Sequence, residues 1–267
     1  MDNYLKPLVH SLIEWIEEHL QTNINISTIA KKSGYSKRYI QSVFKEIIGV
    51  SIGEYIRIRR LSKSAMLVLF TKKRIEHIAN ELNYSSIQSF TRAFTWHFNQ
   101  SPSSFRKKDT LDCSKLLINK SLNIEGGGGK IVFDRVFSVK GRRIVHKEML
   151  ISGNSIRKNT LRMKEIKKYR DKTIYIISRL IPYSMDSWDL NISSVIGTSD
   201  CHGDTYLKFK KCVVLEYVGS WDSYPTISRN IFNMLDMKVY PYCIVEEIKF
   251  YHTKSEIVTI NIYIEIE

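Results

Sequence analysis

Residues 29–36 read IAKKSGYS and residues 78–85 read IANELNYS, and each octet opens one copy of a repeated pattern. The first copy continues with Ile40, Phe44, Gly49, Ser51 and Tyr55, and the second with Phe90, Phe94, Asn99, Ser101 and Phe105. The copies are offset by 49 positions through the tyrosine and by 50 positions after it. A short helix, a turn that accepts positive φ at Gly34 or Asn83, and a second helix make a helix-turn-helix. The pattern therefore predicts two helix-turn-helix motifs in tandem.

Apolar spacing and capping residues predict the helices around this repeat. They are an amphipathic helix over 5–20, a short helix capped by Ser27 or Thr28, a helix from Ser36 to Gly49, a linking helix over 52–69, a helix over 87–98, and a helix start at Pro102. Together they predict an all-α N-terminal domain over residues 1–110.

The charge of the chain is strongly basic. It carries 41 Lys+Arg against 27 Asp+Glu, a net charge of +14, of which +8 falls in residues 1–110 and +6 in the remainder. A surplus of this size suits a polyanionic partner, and a solvated basic surface is the alternative. Because the surplus coincides with the helical repeat, it favours a nucleic acid.

The second helix of each motif carries the candidate contacts to DNA. A recognition helix needs hydrogen-bond donors for base edges and phosphates, without acid on the same face. The predicted DNA-binding residues are Lys37, Arg38, Gln41, Ser42 and Lys45 on the first helix, and Gln88, Ser89 and Arg92 on the second. Base discrimination is expected mainly from the first helix, and affinity mainly from the second.

The sequence argues against several other classes of protein. The four cysteines show no CxxC spacing, and no apolar run reaches the roughly 18 residues of a membrane span. We expect no signal peptide, reduced thiols, a cytoplasmic location and no contact with a membrane. Cys201-His202-Gly203-Asp204 offers metal-ligating side chains, but a polar loop is the favoured interpretation. No catalytic constellation or phosphate-cradling loop is present, so we predict no enzyme, no metal and no cofactor.

The composition changes after residue 110. Residues 111–129 are rich in Ser and Asn and end in four glycines, which predicts a flexible linker between two domains. Residues 130–267 alternate strand-like and helix-like runs, with the clearest strands at 172–178, 212–217 and 257–266 and helices at about 155–169 and 224–235. The predicted fold is therefore multidomain, with an α+β C-terminal domain built from a repeated strand-helix-strand-strand unit.

The first 110 residues resemble the DNA-binding domain of the AraC/XylS family of bacterial regulators. The resemblance rests on Ser33-Gly34-Tyr35-Ser36-Lys37, Gln41, Gly49, Tyr55-Ile56-Arg57 and Phe90-Thr91-Arg92-Ala93-Phe94, and it is most similar to the MarA, SoxS and Rob group. It implies a transcriptional activator that binds double-stranded promoter DNA as a monomer and works with RNA polymerase, associated with the nucleoid when bound.

The segment from Glu216 to Tyr224, together with the final strand pair, is similar to the GyrI-like effector-binding domain. This resemblance implies a small amphipathic effector, and the candidate ligand-binding residues are Trp188, Trp221, Glu246, Glu247 and Tyr251. Either acid could be the pocket carboxylate, and the two tryptophans could equally be core residues. The alternatives for this domain are a non-sensory interaction or stabilising module and, more weakly, an enzyme.

Overall fold

The computed structural model describes residues 5–117, 129–150, 160–169, 171–182, 188–251 and 257–267. The chain divides into two compact units. The first comprises residues 1–69, 73–107 and 115–124, and the second comprises residues 70–72, 108–114 and 125–267. Residues 118–128 of the predicted linker and residues 155–159 of a predicted helix lie outside the described residues.

The first unit is helical, as the sequence predicts. Its helices are α1 (Leu5–His19), α2 (Ile26–Ser33), α3 (Lys37–Ile48), α4 (Ile52–Phe70), α5 (Ile75–Glu81), α6 (Ile87–Phe98) and α7 (Pro102–Phe105). The pairs α2–α3 and α5–α6 are the two helix-turn-helix motifs, and α4 links them. No helix in the described ranges is long and apolar enough to cross a membrane.

Turn residues with positive φ close both motifs at equivalent points. The φ angles are 75° at Gly34 and 58° at Asn83, and after the second helices they are 89° at Gly49 and 58° at Asn99. Glycine adopts this left-handed region without penalty, and asparagine is among the few other residues that tolerate it. The internal repeat in the sequence is therefore a repeat in backbone conformation.

The predicted cap of α3 is confirmed, whereas the predicted cap of α2 is wrong. Ser36 accepts a hydrogen bond from the backbone N–H of Tyr39. Asn25, rather than Ser27 or Thr28, accepts from the N–H of Thr28 at 2.9 Å. Asparagine is among the residues most strongly preferred as an N-cap. With Asn25 as the cap, α2 begins at Ile26, earlier than the apolar pattern indicates.

Buried aromatic and aliphatic side chains hold the helices of the first unit together. Phe44 of α3 packs edge-on against Tyr55 of α4, with ring centroids 5.6 Å apart. In the second motif Phe94 is fully buried and contacts both Phe90 and Phe98. Each such side chain contributes roughly 1.5–3 kcal/mol when fully buried. The core therefore determines which faces of α3 and α6 remain outside.

The second unit is an α+β domain. Its elements are β1 (Leu111–Asp112), β2 (Lys130–Met149), α8 (Thr160–Ile166), β3 (Ile174–Pro182), β4 (Asp189–Ser199), β5 (Thr205–Ser220), α9 (Tyr224–Arg229), β6 (Lys238–Phe250) and β7 (Ile257–Ile266). From β2 onward, the order strand-helix-strand-strand occurs twice, as predicted. This order places one short helix after the first strand of each repeat.

The strands of the second unit form one antiparallel sheet that closes on itself. The order is β1-β6-β3-β4-β2-β5-β7, and a further pairing of β6 with β7 completes a six-stranded barrel-like arrangement. The long strand β2 pairs with β5 over residues 130–139 and with β4 over residues 139–149. One strand thus serves two neighbours along successive parts of its length.

The region predicted to be a linker is partly structured. Leu111 and Asp112 form β1, which pairs with Val239 and Lys238 of β6. Further on, the backbone N–H of Leu117 donates to Ser62 Oγ at 2.9 Å. These partners lie far away in the sequence, so a Ser- and Asn-rich composition does not reveal that the backbone groups of this segment are satisfied.

Candidate functional site

The outward face of α3 carries the five residues predicted to contact DNA. All five are exposed, and no acidic residue occupies the first turn of the helix. Ile40 and Phe44 are fully buried on the opposite face and orient the helix. A helix anchored in this way presents a continuous row of donors to a ligand. The exposed residues are Lys37, Arg38, Gln41, Ser42 and Lys45.

On α6 the predicted DNA-binding residues have different environments. Gln88 and Arg92 are exposed. Ser89 is half-buried, and its hydroxyl takes part in a capping box with Ser86, donating to the Ser86 carbonyl at 2.8 Å and accepting from the Ser86 N–H at 3.2 Å. Ser89 therefore stabilises the start of α6, and its contact with DNA remains a prediction.

A buried ion pair attaches the linking helix to the rest of the unit. Arg59 of α4 donates to both carboxylate oxygens of Glu17 on α1, at 2.7 and 2.8 Å, and Tyr55 donates to the same carboxylate at 3.0 Å. Burial opposes the charge of Arg59, but Glu17 more than compensates, so the pKa of Arg59 is raised. The ion pair therefore fixes α4, the helix that links the two motifs, against α1.

Exposed aromatic side chains also lie on the recognition helices or just before them, a feature that sequence reasoning missed. At the start of α3 the rings of Tyr35 and Tyr39 contact each other in a tilted arrangement, with centroids 5.0 Å apart, and both are exposed. On α6, Trp96 is exposed and the guanidinium of Arg57 lies 5.1 Å from its ring centroid. Their positions outside the apolar stripe are the only sequence signal, because aromatic residues are usually buried.

In the second unit, Glu246 is the centre of a buried polar cluster. Arg162 of α8 donates to its two carboxylate oxygens at 2.5 and 2.6 Å, and Tyr224 of α9 donates to it at 2.5 Å. Burial, followed by the charge of Glu246, raises the pKa of Tyr224 well above its ordinary value. The ring of Trp221 lies 5.7 Å from that of Tyr224. The structure therefore brings two of the predicted ligand residues, Trp221 and Glu246, to one place.

Glu247 lies on the opposite face of the same strand. In register, Glu246 pairs with Ile262 and Glu247 with Asn261, and successive residues of a strand point to opposite faces. Tyr263 donates to Glu247 at 2.7 Å and Tyr175 donates at 3.2 Å. The two candidate carboxylates are thus separated by the sheet and have different partners.

The pKa of Glu247 is held below its usual value. Burial alone would raise this pKa, but hydrogen bonds from Tyr263 and Asn261 and the charge of Lys249 outweigh it. The ring of Phe137 lies 5.0 Å from that of Tyr263. Glu247 therefore lies in an aromatic environment as an ionised carboxylate, and Tyr263, Asn261 and Lys249 stabilise its charged form.

Trp188 and Tyr251 lie apart from this region of the sheet. Tyr175 pairs with Glu247 on one side and with Gly197, near the C-terminal end of β4, on the other. Trp188 comes just before the N-terminal end of β4, at the opposite end of that strand, and is half-buried. Tyr251 follows the end of β6 and is exposed. The five predicted ligand residues do not form one constellation on one face.

The loop that suggested a metal site makes local contacts instead. The backbone N–H of His202 donates to Asp200 Oδ1 at 2.8 Å, and Cys201 is exposed. Within the ranges that the structure describes, no group of three or more His, Cys, Asp or Glu residues could hold a metal ion.

Comparisons with known proteins find matches to about two-fifths of the chain or less. A family model described as "Helix-turn-helix domain" matches residues 29–108. The regulatory protein SoxS of Salmonella typhimurium is 44% identical over 38% of this chain and 94% of its own length. The transcriptional regulator Rob of the same organism is 42% identical over 38% of this chain, but the match covers only 35% of Rob.

Two further comparisons match a similar share of the chain. The putative regulator YkgA of Escherichia coli is 44% identical over 41% of this chain, and the match spans 46% of YkgA. The C-terminal domain of the response regulator AraT from Geobacillus stearothermophilus is 25% identical over 39% of this chain and 88% of that domain, with a TM-score of 0.38.

The tandem motifs, the family model and the curated relatives SoxS and Rob define a DNA-binding transcriptional regulator whose first unit is an AraC-type helix-turn-helix domain. Because the chain covers nearly the whole of SoxS at high identity, it belongs to the family of AraC-type regulators that includes SoxS and Rob. The relatives named above are regulators rather than enzymes.

Proposed function

We propose that this protein activates transcription by binding promoter DNA as a monomer through α3 and α6. The observation that carries the proposal is the pair of exposed recognition faces held by one anchored linking helix. Two recognition helices joined by one linking helix would reach successive major-groove segments about one turn of DNA apart. A tandem motif in one chain supplies what other helix-turn-helix proteins obtain by dimerisation.

The polar side chains of α3 suit base reading. Arginine pairs with guanine edges and glutamine with adenine edges, and both types stand exposed at Arg38 and Gln41. On α6, Arg92 suits a phosphate contact, with Gln88 beside it. Bound in this way upstream of a gene, the protein would recruit RNA polymerase, in the cytoplasm and at the nucleoid.

We further propose that the second unit, as a GyrI-like domain, senses a small amphipathic ligand. Support comes from two buried carboxylates among aromatic side chains: Glu246 beside Tyr224, whose ring contacts Trp221, and Glu247 beside Tyr263. An ionised Glu247 favours a cationic or hydrogen-bonding ligand. Ligands that bind the native state raise the unfolding midpoint, so a screen of amphipathic compounds against the full chain tests this part. If no compound shifts the midpoint, a non-sensory module is the better description.

The experiment that tests DNA binding uses the full chain and a pool of random-sequence duplexes. We expect selection to enrich one site, and affinity for it to fall steeply as salt rises, since each neutralised phosphate releases counterions. A protein that enriches no sequence and binds no duplex at low salt would contradict the proposal.

A further inference from the structure

Trp96 is a highly exposed aromatic side chain that does not contribute to the buried face of α6. The helix α6 buries Phe90, Phe94 and Phe98 at helical spacing, and Trp96 falls outside that stripe. With 69% of its surface open, Trp96 is more exposed than any other large apolar side chain in the described part of the chain. Scattered exposed apolar residues are ordinary, so the surroundings of Trp96 decide whether it has a function.

The surroundings of Trp96 form an organised surface. It lines an open concavity of about 700 Å³ along α6 together with Ile87, Gln88, Thr91, Arg92 and Thr95. Arg57 reaches across from α4 and places its guanidinium 5.1 Å from the Trp96 ring centroid. A cation from the linking helix thus lies against the indole, and the same concavity includes Gln88 and Arg92, two of the α6 residues predicted to contact DNA.

The positive charges around this surface favour an anionic ligand. Arg57 lies over the indole, and Arg92, one helical turn before Trp96 on α6, lines the same concavity. The acid paired with Arg57 is Glu54, at a separation of 4.0 Å with both side chains well exposed. Such an exposed pair is weak and leaves the guanidinium able to take a stronger anion. An indole N–H and a guanidinium are both donors only, which suits phosphate oxygens.

We propose that Trp96, positioned by Arg57, contacts the sugar-phosphate backbone of the DNA segment that α6 binds. The ring packs against deoxyribose, while the indole N–H and the guanidinium donate to phosphate oxygens. This inference rests on the proposed DNA-binding function and extends the α6 interface toward α4. Contacts to the backbone carry no direct sequence information, so Trp96 contributes affinity equally at all sites.

The test compares variants of the full chain on two duplexes of about three helical turns, one enriched by the wild type and one scrambled. We expect Trp96→Ala to weaken both about tenfold, and Trp96→Phe, which keeps a ring but loses the N–H, to weaken both by less. Tyr206→Ala is the matched control, because Tyr206 is 63% exposed in the second unit. The unfolding midpoint of each variant is measured as a control, and we expect it to be unchanged because the substituted side chains are exposed.

The outcomes separate this inference from the function on which it rests. Equal losses on both duplexes, with non-additive effects in the Arg57→Ala, Trp96→Ala cycle, support it. If Trp96→Ala leaves the DNA affinity unchanged but reduces transcription, Trp96 contacts a protein partner and the inference is overturned. A changed base preference would also overturn it. If the wild type itself binds neither duplex, the DNA-binding proposal fails first.

Discussion

At the scale of single residues, α3 and α6 are expected to divide the work of DNA recognition. Arg38→Ala and Gln41→Ala should each relax the preference at particular base pairs by roughly 1–3 kcal/mol, the worth of one bidentate contact. Arg92→Ala should weaken binding to all sequences about equally. Affinities for a panel of single-base-pair substitutions in the selected site measure both effects. If only Arg92→Ala changes the base preference, the roles of the two helices are reversed.

A second residue-scale prediction concerns His146 in the second unit. Burial, then the nearby charge of Arg162, lower its pKa to about 4, although Glu246 acts in the opposite direction. Its Nδ1 is buried without a hydrogen-bond partner. In the unfolded chain a histidine has a pKa of about 6.5. Between about pH 4 and about pH 6.5, the unfolded chain therefore binds this proton more readily than the folded chain does. Stability should therefore be complete above about pH 6.5 and decline as the pH falls toward 4.

Calorimetric unfolding of the full chain at about pH 7 and about pH 5 measures this decline. His146→Gln should reduce the difference between the two conditions, whereas His202→Gln, at an exposed loop position, should not. The pKa of His97 in the first unit is also lowered by burial, so the comparison of variants isolates His146. An unchanged pH dependence in His146→Gln would show that another group is responsible.

At the scale of elements, the turn between α2 and α3 sets the path of the first motif. Gly34 has a φ of 75° and nothing lies within 4 Å of a Cβ built on it, so the cost of a side chain there is conformational alone. Gly34→Ala should destabilise the domain by about 1–2 kcal/mol. Gly53 in α4 also has open space but an ordinary φ, and Gly53→Ala should stabilise by about 0.4–1 kcal/mol.

Chemical denaturation of the full chain measures both glycine variants, because both lie in the first unit. The opposite signs make the pair informative, since the two substitutions add the same methyl group to the same helical domain. A stabilising Gly34→Ala would mean that the turn does not require its left-handed conformation.

Helices, turns and recognition faces of the first unit follow from the sequence because their signals are local. The 3.6-residue period, Ser36 and Gly34 all act within a few residues of the feature that they specify. The features missed depend on distant partners. Residues 111–117 are held by pairing with β6 and by contacts with Ser62 and His97. The sequence does not show that these partners are close.

The candidate ligand site shows a different limit of the sequence. Glu246 and Glu247 were both candidates for one pocket, yet the period of two in a strand already places neighbours on opposite faces. That conclusion needed only the assignment of β6. The partners of each acid could not be predicted in this way, because Arg162 reaches Glu246 from α8 and Tyr263 reaches Glu247 from β7. The exposure of Trp96 could not be read from its residue type.

At the scale of the whole molecule, the DNA-binding domain is expected to fold and act without the second domain. SoxS supports this, because the match to this chain covers 94% of its length. The structure also indicates where the fragment should end. Arg59 donates to the Leu117 carbonyl, the Leu117 N–H donates to Ser62, and His97 contacts the Lys115 carbonyl at 2.8 Å. A fragment of residues 1–110 lacks all three contacts.

We therefore expect residues 1–117 to bind the selected duplex with nearly the affinity of the full chain. Residues 1–110 should bind as well, but with a lower unfolding midpoint, because Arg59 loses an acceptor and Ser62 a donor at a buried position. Thermal unfolding and titration of both fragments give the two quantities. Ser62→Ala in the longer fragment is the matched control, since it removes one contact while the segment remains. Equal midpoints for the two fragments would mean that residues 111–117 do not stabilise this domain, and a longer fragment that binds no DNA would assign part of the interface to the second unit.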